Sequence, residues 1–148
     1  MKVNFKELLD SKRIEEVEKE EFNADLAEKD IKSAEHNFSS EDYNWAVSIA
    51  YNAVLRASRS FMFHLGYRPI GKEHHKNVFE FLRKTGFDIE LVDYFDNIRK
   101  ARNQFVYGEI ESASRENAKE VIIDMAGKFV LKIRTFVLKI RTGKEVVK

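Results

Sequence analysis

The chain has 148 residues, of which 34% are charged and 43% hydrophobic, and its formal net charge at pH 7 is +1. This length is sufficient for one domain that buries roughly two-thirds of the surface exposed by its unfolded chain. The sequence contains no cysteine, which excludes disulfides and thiolate metal sites. Because it has neither a long apolar run nor a secretory-signal pattern at its start, we expect a cytoplasmic protein without membrane contact.

Helix-forming residues dominate the composition. One proline, six glycines and abundant Glu, Lys, Ala and Leu predict an all-α fold, with residues 1–148 forming a single helical domain. Charge is uneven: residues 1–42 carry 7 Lys/Arg against 13 Asp/Glu, whereas residues 128–148 carry 7 Lys/Arg against one Glu. If the terminal helices pack side by side, these charges compensate each other. If they do not, the basic end is a candidate contact for nucleic acid.

The first half of the chain predicts three helices. Residues 4–10 are expected to form a short leading helix, followed by a long helix over about residues 14–36. Ser39 and Ser40, followed by two acidic residues, predict the N-cap of a second long helix that reaches about Leu65. The apolar positions expected to face the core are Phe22, Leu26, Ala27, Ile31, Ala34 and Phe38 in the first long helix and Ala46, Ala50, Ala53, Ala57, Phe61 and Leu65 in the second.

The second half predicts a loop followed by three helices. GYRPIG, residues 66–71, contains the only proline and is expected to be a loop. A short helix is predicted over about residues 74–84, a long helix over residues 88–106, and a last helix after that. Four substantial helices with short connections predict an up-and-down four-helix bundle with an additional short helix.

The last helix contains a tandem repeat. Ser112 or Ser114 is expected to cap this helix, which runs to about residue 141 or 142 and carries the basic end of the chain. FVLKIRT occurs at residues 129–135 and again at residues 136–142. Seven residues make nearly two helical turns, so the second copy presents the same face about 10 Å further along. We interpret the repeat as an extension that covers the end of the bundle or a partner subunit.

An arginine interrupts the apolar stripe of the helix over residues 88–106. A buried guanidinium is unfavourable unless it meets an anion or several acceptors. Arg102 therefore belongs either to a structural ion pair with another helix or to a polar cleft that receives a phosphate, with Asp96 or Arg99 beside it. The stripe reads Leu91, Phe95, Ile98, Arg102 and Phe105.

The segment RKARNQFVYGE, in which Asn103 follows Arg102, resembles the signature of the HEPN (higher eukaryotes and prokaryotes nucleotide-binding) domain family. In that family an arginine, usually followed by a polar residue, precedes a histidine after a short gap. Two earlier segments, AVSIAYNAVLRASRSFMFHLGYRP and HHKNVFEFL, resemble the family's second helix and its short histidine-opened helix. The resemblance covers about residues 17–135, and Tyr107 occupies the position of the family histidine.

The resemblance implies a homodimer whose protomers each contribute an arginine and a histidine to a metal-independent endoribonuclease site. Such cleavage needs a base and a cation. Arg102 retains the cationic role, but a phenol with an ordinary pKa of about 10 is a poor base near neutral pH. We therefore expect Arg102, Asn103 and Tyr107 to form a degenerate catalytic motif. The candidate binding residues are Arg99, Arg102, Asn103, His74 and His75.

The paired histidines have two interpretations. His74 and His75 are adjacent at the start of the short helix and would project about 100° apart, which makes them a poor chelate for one metal ion. We expect no metal and no cofactor, and we interpret both as helix-end residues. For either of them to replace the missing base, their loop would have to fold over Arg102.

Three functions fit this sequence, and the first is favoured. A binding or regulatory homodimer would hold a nucleotide or an RNA phosphate without cleaving it. An active endoribonuclease of toxin type would use Tyr107 or a loop histidine as its base. As HEPN proteins often work beside a nucleotidyltransferase, the chain would otherwise be half of such a pair or of a toxin–antitoxin pair. In some members that partner modifies a tyrosine near the motif, but Glu109 stands at the corresponding position here.

Overall fold

Helices make up most of the structure, a computed structural model that describes residues 4–106 and 113–143. The elements in chain order are α1 (Lys6–Asp10), β1 (Ile14–Glu16), α2 (Asp25–Ser39), α3 (Tyr43–Leu65), β2 (Tyr67–Pro69), α4 (His74–Thr85), α5 (Ile89–Val106), α6 (Arg115–Lys119), a π-helical segment (Glu120–Ala126) and α7 (Gly127–Arg141). The only sheet in these two ranges is the short β1–β2 pair, so the predicted all-α fold is confirmed. None of the described helices combines the length and the apolar character needed to cross a membrane.

The central element is α3, which contacts α2, α4, α5, α6 and α7. Its predicted alanine stripe is fully buried, and so is Phe61 near its C-terminal end. Small side chains let neighbouring helices approach closely, and α2 packs along α3 more extensively than any other element does. The buried alanines are Ala46, Ala50, Ala53 and Ala57.

The predicted first long helix is wrong over its first half. Residues 14–16 form β1 and residues 17–24 are irregular, so α2 begins only at Asp25. Five glutamates lie between residues 15 and 21. In a helix several of them would stand three or four positions apart and repel one another. Leu26, predicted to face the core, is instead 57% exposed.

The irregular segment before α2 gives its backbone hydrogen bonds to the end of α3. The Val17 N–H donates to the Gly66 carbonyl at 2.9 Å, and the Glu20 N–H donates to the Phe63 carbonyl at 3.1 Å. Gly66 ends α3 with a φ of 94°, and a Cβ there would lie 3.2 Å from the Lys19 side chain. Glycine therefore serves both the left-handed turn and the close approach.

The predicted loop over residues 66–71 is wrong at its centre, because Tyr67–Pro69 is strand β2. It pairs antiparallel with β1, and Ile14 lies opposite Pro69. A proline has no N–H to donate to a ladder, and a short edge strand tolerates this. Ile14 is 1% exposed, and its burial fixes the register of the β1–β2 pairing. Local helical spacing does not predict this pairing.

The two predicted serine caps have different outcomes. The Ser114 hydroxyl accepts a hydrogen bond from the Asn117 N–H at 3.0 Å and caps α6, as predicted; Ser112 lies outside the described residues. The predicted serine cap of α3 is wrong, because α2 continues through Ser39 and Asp42 takes the N-cap position without a side-chain hydrogen bond.

The tandem repeat lies in α7 and mainly covers the protein's own core. Phe129 and Ile133 of the first copy are fully buried, while Phe136 and Ile140 of the second are partly buried against the same core. The Phe136 ring packs edge-on against the Phe61 ring, with centroids 5.8 Å apart. The second copy therefore extends the core towards the end of α3.

Some of the terminal charges compensate each other within the domain. α7 contacts α2, and Arg134 of α7 forms an ion pair with Glu28 of α2. Lys132 pairs with Asp88, just before α5, at 2.8 Å. The Arg134–Glu28 pair favours the interpretation that the acidic and basic ends complement one another, whereas the partner of Lys132 belongs to neither end.

Candidate functional site

A buried carboxylate joins α4 to α5. Asp96 of α5 is 4% exposed, and its two oxygens accept hydrogen bonds from different arginines. Arg83, in the last turn of α4, donates to Oδ2 at 2.8 Å, and Arg99 donates through Nε to Oδ1 at 2.7 Å. Arg83 also reaches the exposed Asp93 at 2.9 Å. We call the Arg83–Asp96–Arg99 group the aspartate clamp.

The aspartate clamp remains ionised at neutral pH. Burial by itself raises the pKa of Asp96, but the hydrogen bonds and charges of Arg83 and Arg99 outweigh it, so the pKa lies below its ordinary value. Burial likewise acts to lower the pKa of Arg83, and the two aspartates outweigh it and raise that pKa. The hydrogen bond to the ionised Asp96 therefore fixes the orientation of the Arg99 guanidinium.

A pocket of about 240 Å³ lies between the N-terminus of α4 and Arg99 of α5. Its lining includes three cationic side chains and one carboxylate, that of Glu73. The carboxylate lies 3.7 Å from the Lys76 ammonium, a distance that gives little stability at an exposed position. The first N–H groups of a helix also favour anions. The lining residues are Lys72, Glu73, His74, His75, Lys76 and Arg99, and we call this the basic pocket.

One histidine of the basic pocket contacts the core of the bundle. His75 Nδ1 lies 3.5 Å from the hydroxyl of Tyr51, a fully buried residue of α3, and their ring centroids are 5.9 Å apart. His74 packs edge-on against His75 and is exposed. Tyr51 therefore limits where the His75 ring can lie. Within the described ranges, no group of three or more His, Cys, Asp or Glu residues is placed to hold a metal ion.

The structure brings together three of the predicted binding residues, His74, His75 and Arg99. Arg102 and Asn103 belong to the backbone of α5, but their side chains lie outside the described part of the chain. Tyr107 lies outside it altogether. The roles predicted for these three residues therefore stay predictions.

Five contributors to the site were not predicted as site residues: Lys72, Glu73, Lys76, Arg83 and Tyr51. The lysines flank the histidines in the segment KEHHK, and their density of positive charge was an available signal. Arg83 had no comparable signal, because its partner Asp96 comes from the next helix. Tyr51 lies beside the alanine stripe of α3, and sequence alone does not say whether its hydroxyl meets a side chain or the backbone.

Comparison with protein families identifies the fold family. The sequence model of one protein family, described as the HEPN domain, matches residues 21–135, which is most of the 148-residue chain. The chain therefore belongs to the HEPN domain family, a family of nucleotide-binding and ribonuclease-like modules, and the predicted resemblance is confirmed. Comparison with curated proteins and with solved structures gave no match.

Proposed function

We propose that this HEPN domain binds the phosphate groups of RNA or of a nucleotide at the basic pocket, as a homodimer, with little or no cleavage. The observation that carries the proposal is the shared lining of the pocket by Lys72, Lys76 and Arg99, with Glu73 as the only carboxylate among the described residues of that lining. An excess of two positive charges at the start of a helix is a suitable environment for a phosphate.

Arg99 is suited to this role because its orientation is fixed. The contact with Asp96 uses Nε, which is one of five donors on a guanidinium. The side chain is 13% exposed and lines the pocket. A pre-oriented arginine loses little conformational entropy when it binds a phosphate.

Arg102 is proposed to extend the same surface. It follows Arg99 by three positions in α5, and residues at this spacing are neighbours on a helix. We propose that Asn103 and Tyr107 complete the degenerate motif beside it. Tyr107 offers a hydroxyl for hydrogen bonding but a poor base at neutral pH.

The homodimer is proposed with the two copies of α5 near its two-fold axis. An arginine on an apolar stripe needs an acceptor, and a two-fold axis would bring the two copies of Arg102 towards shared anions. Sedimentation at micromolar protein concentration should show a species of twice 17.4 kDa. A monomer under those conditions would contradict the dimer without affecting the binding proposal.

Binding is tested with a labelled single-stranded RNA by fluorescence anisotropy. The double variant Lys72→Ala/Lys76→Ala should weaken binding and flatten its dependence on salt, because each phosphate contact on a single strand contributes about 0.7 to the slope of log K against log salt. The matched control is Lys29→Ala/Lys32→Ala, which removes two exposed lysines from α2 at nearly the same spacing. Equal affinities for the two double variants would refute the basic pocket as the RNA site.

The degenerate motif is tested by restoring the missing base. Tyr107→His should cleave single-stranded RNA faster than the parent without added metal, because general-base catalysis typically contributes about 10²–10⁴-fold. Arg102→Ala in that background should remove the gain. Tyr107→Phe is the matched control and should leave the low parental rate unchanged.

The alternative function is a metal-independent endoribonuclease in which His75 or His74 is the base. The observation that favours it is that both histidines, in the first turn of α4, line one pocket with Arg99 of α5. Metal-free cleavage by the parent that is lost in Arg102→Ala and in His75→Ala, but kept in Tyr107→Phe, would establish this alternative.

We also propose a cytoplasmic setting and a nucleotidyltransferase partner, in a regulatory or toxin–antitoxin pair. The support is the family membership and the cysteine-free sequence, which fits a reducing compartment. A neighbouring gene encoding a nucleotidyltransferase, and co-purification of its product with this chain, would support the pair.

A further inference from the structure

A second pocket, of about 280 Å³, lies between the start of α2 and the C-terminal half of α3. It shares no lining residue with the basic pocket, so the two are separate sites. Its α3 wall follows the i, i+3, i+4, i+7 spacing of one helix face. The lining residues are Asn23, Leu26, Ala27, Arg56, Arg59, Ser60 and Phe63, and we call this the α2–α3 pocket.

The two arginines of the α2–α3 pocket differ in their partners. Arg56 Nε lies 2.8 Å from Asp30 Oδ2, a buried oxygen to which no described residue donates a hydrogen bond of good geometry. Among residues 4–106 and 113–143, no carboxylate lies within ion-pair distance of Arg59. Asp30 pairs with Arg56 only, so the positive charge of Arg59 has no carboxylate partner in the described residues.

Arg59 is half-buried, which makes its uncompensated charge costly. Burial lowers its pKa; Tyr51 acts in the opposite direction, and the neighbouring charge of Arg56 again lowers it. A guanidinium nevertheless stays protonated in proteins. A half-buried cation that lines a cavity gains most from an anion that enters the cavity.

The remaining walls of the pocket combine an apolar surface with a fixed loop. Leu26 is 57% exposed and Phe63 is partly buried, so both offer apolar contacts to a ligand. The Asn23 N–H donates to the Ser60 hydroxyl at 2.8 Å and holds the loop against α3. The pocket is therefore partly preformed, as small-molecule sites usually are.

We infer that the α2–α3 pocket binds a small ligand with a singly charged oxyanion attached to an apolar body. Arg59 would receive the anion, with Arg56 contributing from its pair with Asp30, and Leu26 and Phe63 would contact the body. One uncompensated charge matches a single negative charge. A carboxylate on an aromatic ring has this chemistry, and a phosphodiester between nucleosides shares its single negative charge and offers the flat faces of its bases to the apolar wall.

The test uses the full chain and two probes, benzoate and the dinucleoside monophosphate UpU, followed by NMR at the amides of Asn23 and Ser60. At least one probe should shift both amides in a saturable manner. Tighter binding of benzoate would assign the carboxylate class, and tighter binding of UpU would assign the phosphodiester class.

Two variants and one control keep the test decisive. Arg59→Gln should weaken binding by about tenfold or more, since a charge-assisted hydrogen bond is lost. Leu26→Glu should do the same by repelling the anion, and it is at an exposed position where the fold tolerates the change. Lys72→Ala/Lys76→Ala should leave the shifts at Asn23 and Ser60 unchanged.

Three results would overturn the inference. The first is the absence of a saturable shift at Asn23 and Ser60 with either probe. The second is binding that both Arg59→Gln and Leu26→Glu leave intact. The third is binding lost only in the lysine variant, which would place the probe in the basic pocket.

Discussion

The aspartate clamp and the α2–α3 pocket are two arginine-bearing regions that treat charge in opposite ways. In the clamp, one carboxylate that is 4% exposed receives hydrogen bonds from two arginines, one on each oxygen. In the α2–α3 pocket, Asp30 contacts Arg56 alone, and Arg59 has no carboxylate partner in the described part of the chain. The first region satisfies its charges internally, whereas the second keeps one of them available.

This difference in charge compensation suits the two regions to different roles: the clamp to positioning helices, and the α2–α3 pocket to binding a ligand. Buried carboxylate oxygens that each accept a charged donor fix the geometry of both helices, because any displacement leaves a buried charge without a partner. A half-buried arginine without such a partner adds little to stability and is retained at a cost. The clamp should therefore matter most to folding, and the α2–α3 pocket most to ligand binding.

The largest effect is expected for Asp96→Ala. Removing the Asp96 carboxylate leaves Arg83 and Arg99 without the acceptor that they share. Breaking a buried ion pair typically costs about 3–5 kcal/mol of stability. Because the Arg83 side chain is 33% exposed, we expect a loss near the lower end of that range. Urea unfolding measures it. The control Asp93→Ala removes an exposed partner of Arg83 and should cost less than about 1 kcal/mol; equal losses would contradict a special role for Asp96.

Acid should produce a graded form of the same loss. The pKa of Asp96 is lowered in the folded state, so its contribution to stability is present above its unfolded pKa of about 3.9 and is lost as the pH falls through the lower folded value. Asp96→Asn should therefore make the free energy of unfolding less sensitive to pH below about pH 4. The pKa values of Asp88 and Glu7 are lowered as well, so part of the acid sensitivity should remain in the variant. Identical pH profiles for parent and variant would contradict this prediction.

The smallest effect on the free energy of unfolding is expected for Arg59→Met. Comparing it with Arg99→Met tests the difference between the two regions directly. Replacing Arg99 removes a charged hydrogen bond to Asp96 and should cost about 1–3 kcal/mol. Replacing Arg59 removes a half-buried cation that has no carboxylate partner among the described residues, so the stability should change by less than about 1 kcal/mol or rise slightly. Thermal and urea unfolding of the two variants measure both effects. A loss for Arg59→Met as large as that for Arg99→Met would show that Arg59 has a structural partner.

Much of the fold was predictable because helical spacing is a local signal. The alanine stripe of α3, the short α4 and the span of α5 all follow from apolar positions three and four residues apart. The region before α2 failed because its glutamates have high helix propensity, yet pairing with β2 and burial of Ile14 override that propensity. The exposure of Leu26 is a consequence of the same shift in where α2 begins.

The candidate site was predictable only where its chemistry lay within one segment. The paired histidines and Arg99 were named from local patterns, and they do line one pocket. The pairing of Arg83 with Asp96 spans two helices, and the contact of His75 with Tyr51 joins residues 24 positions apart. Local sequence patterns do not predict either contact, because each depends on how the helices are rotated about their own axes.

Composition, periodicity and a short signature are all read along the chain, and they were enough to predict the helical class, the family and the residues available for chemistry. Which charges meet depends on the three-dimensional packing: Asp96 meets two arginines, Arg59 has no carboxylate partner in the described residues, and His75 lies against Tyr51. The physical reason is that electrostatic and hydrogen-bond contacts act over a few ångströms. The packing of α3 against its neighbours sets those distances.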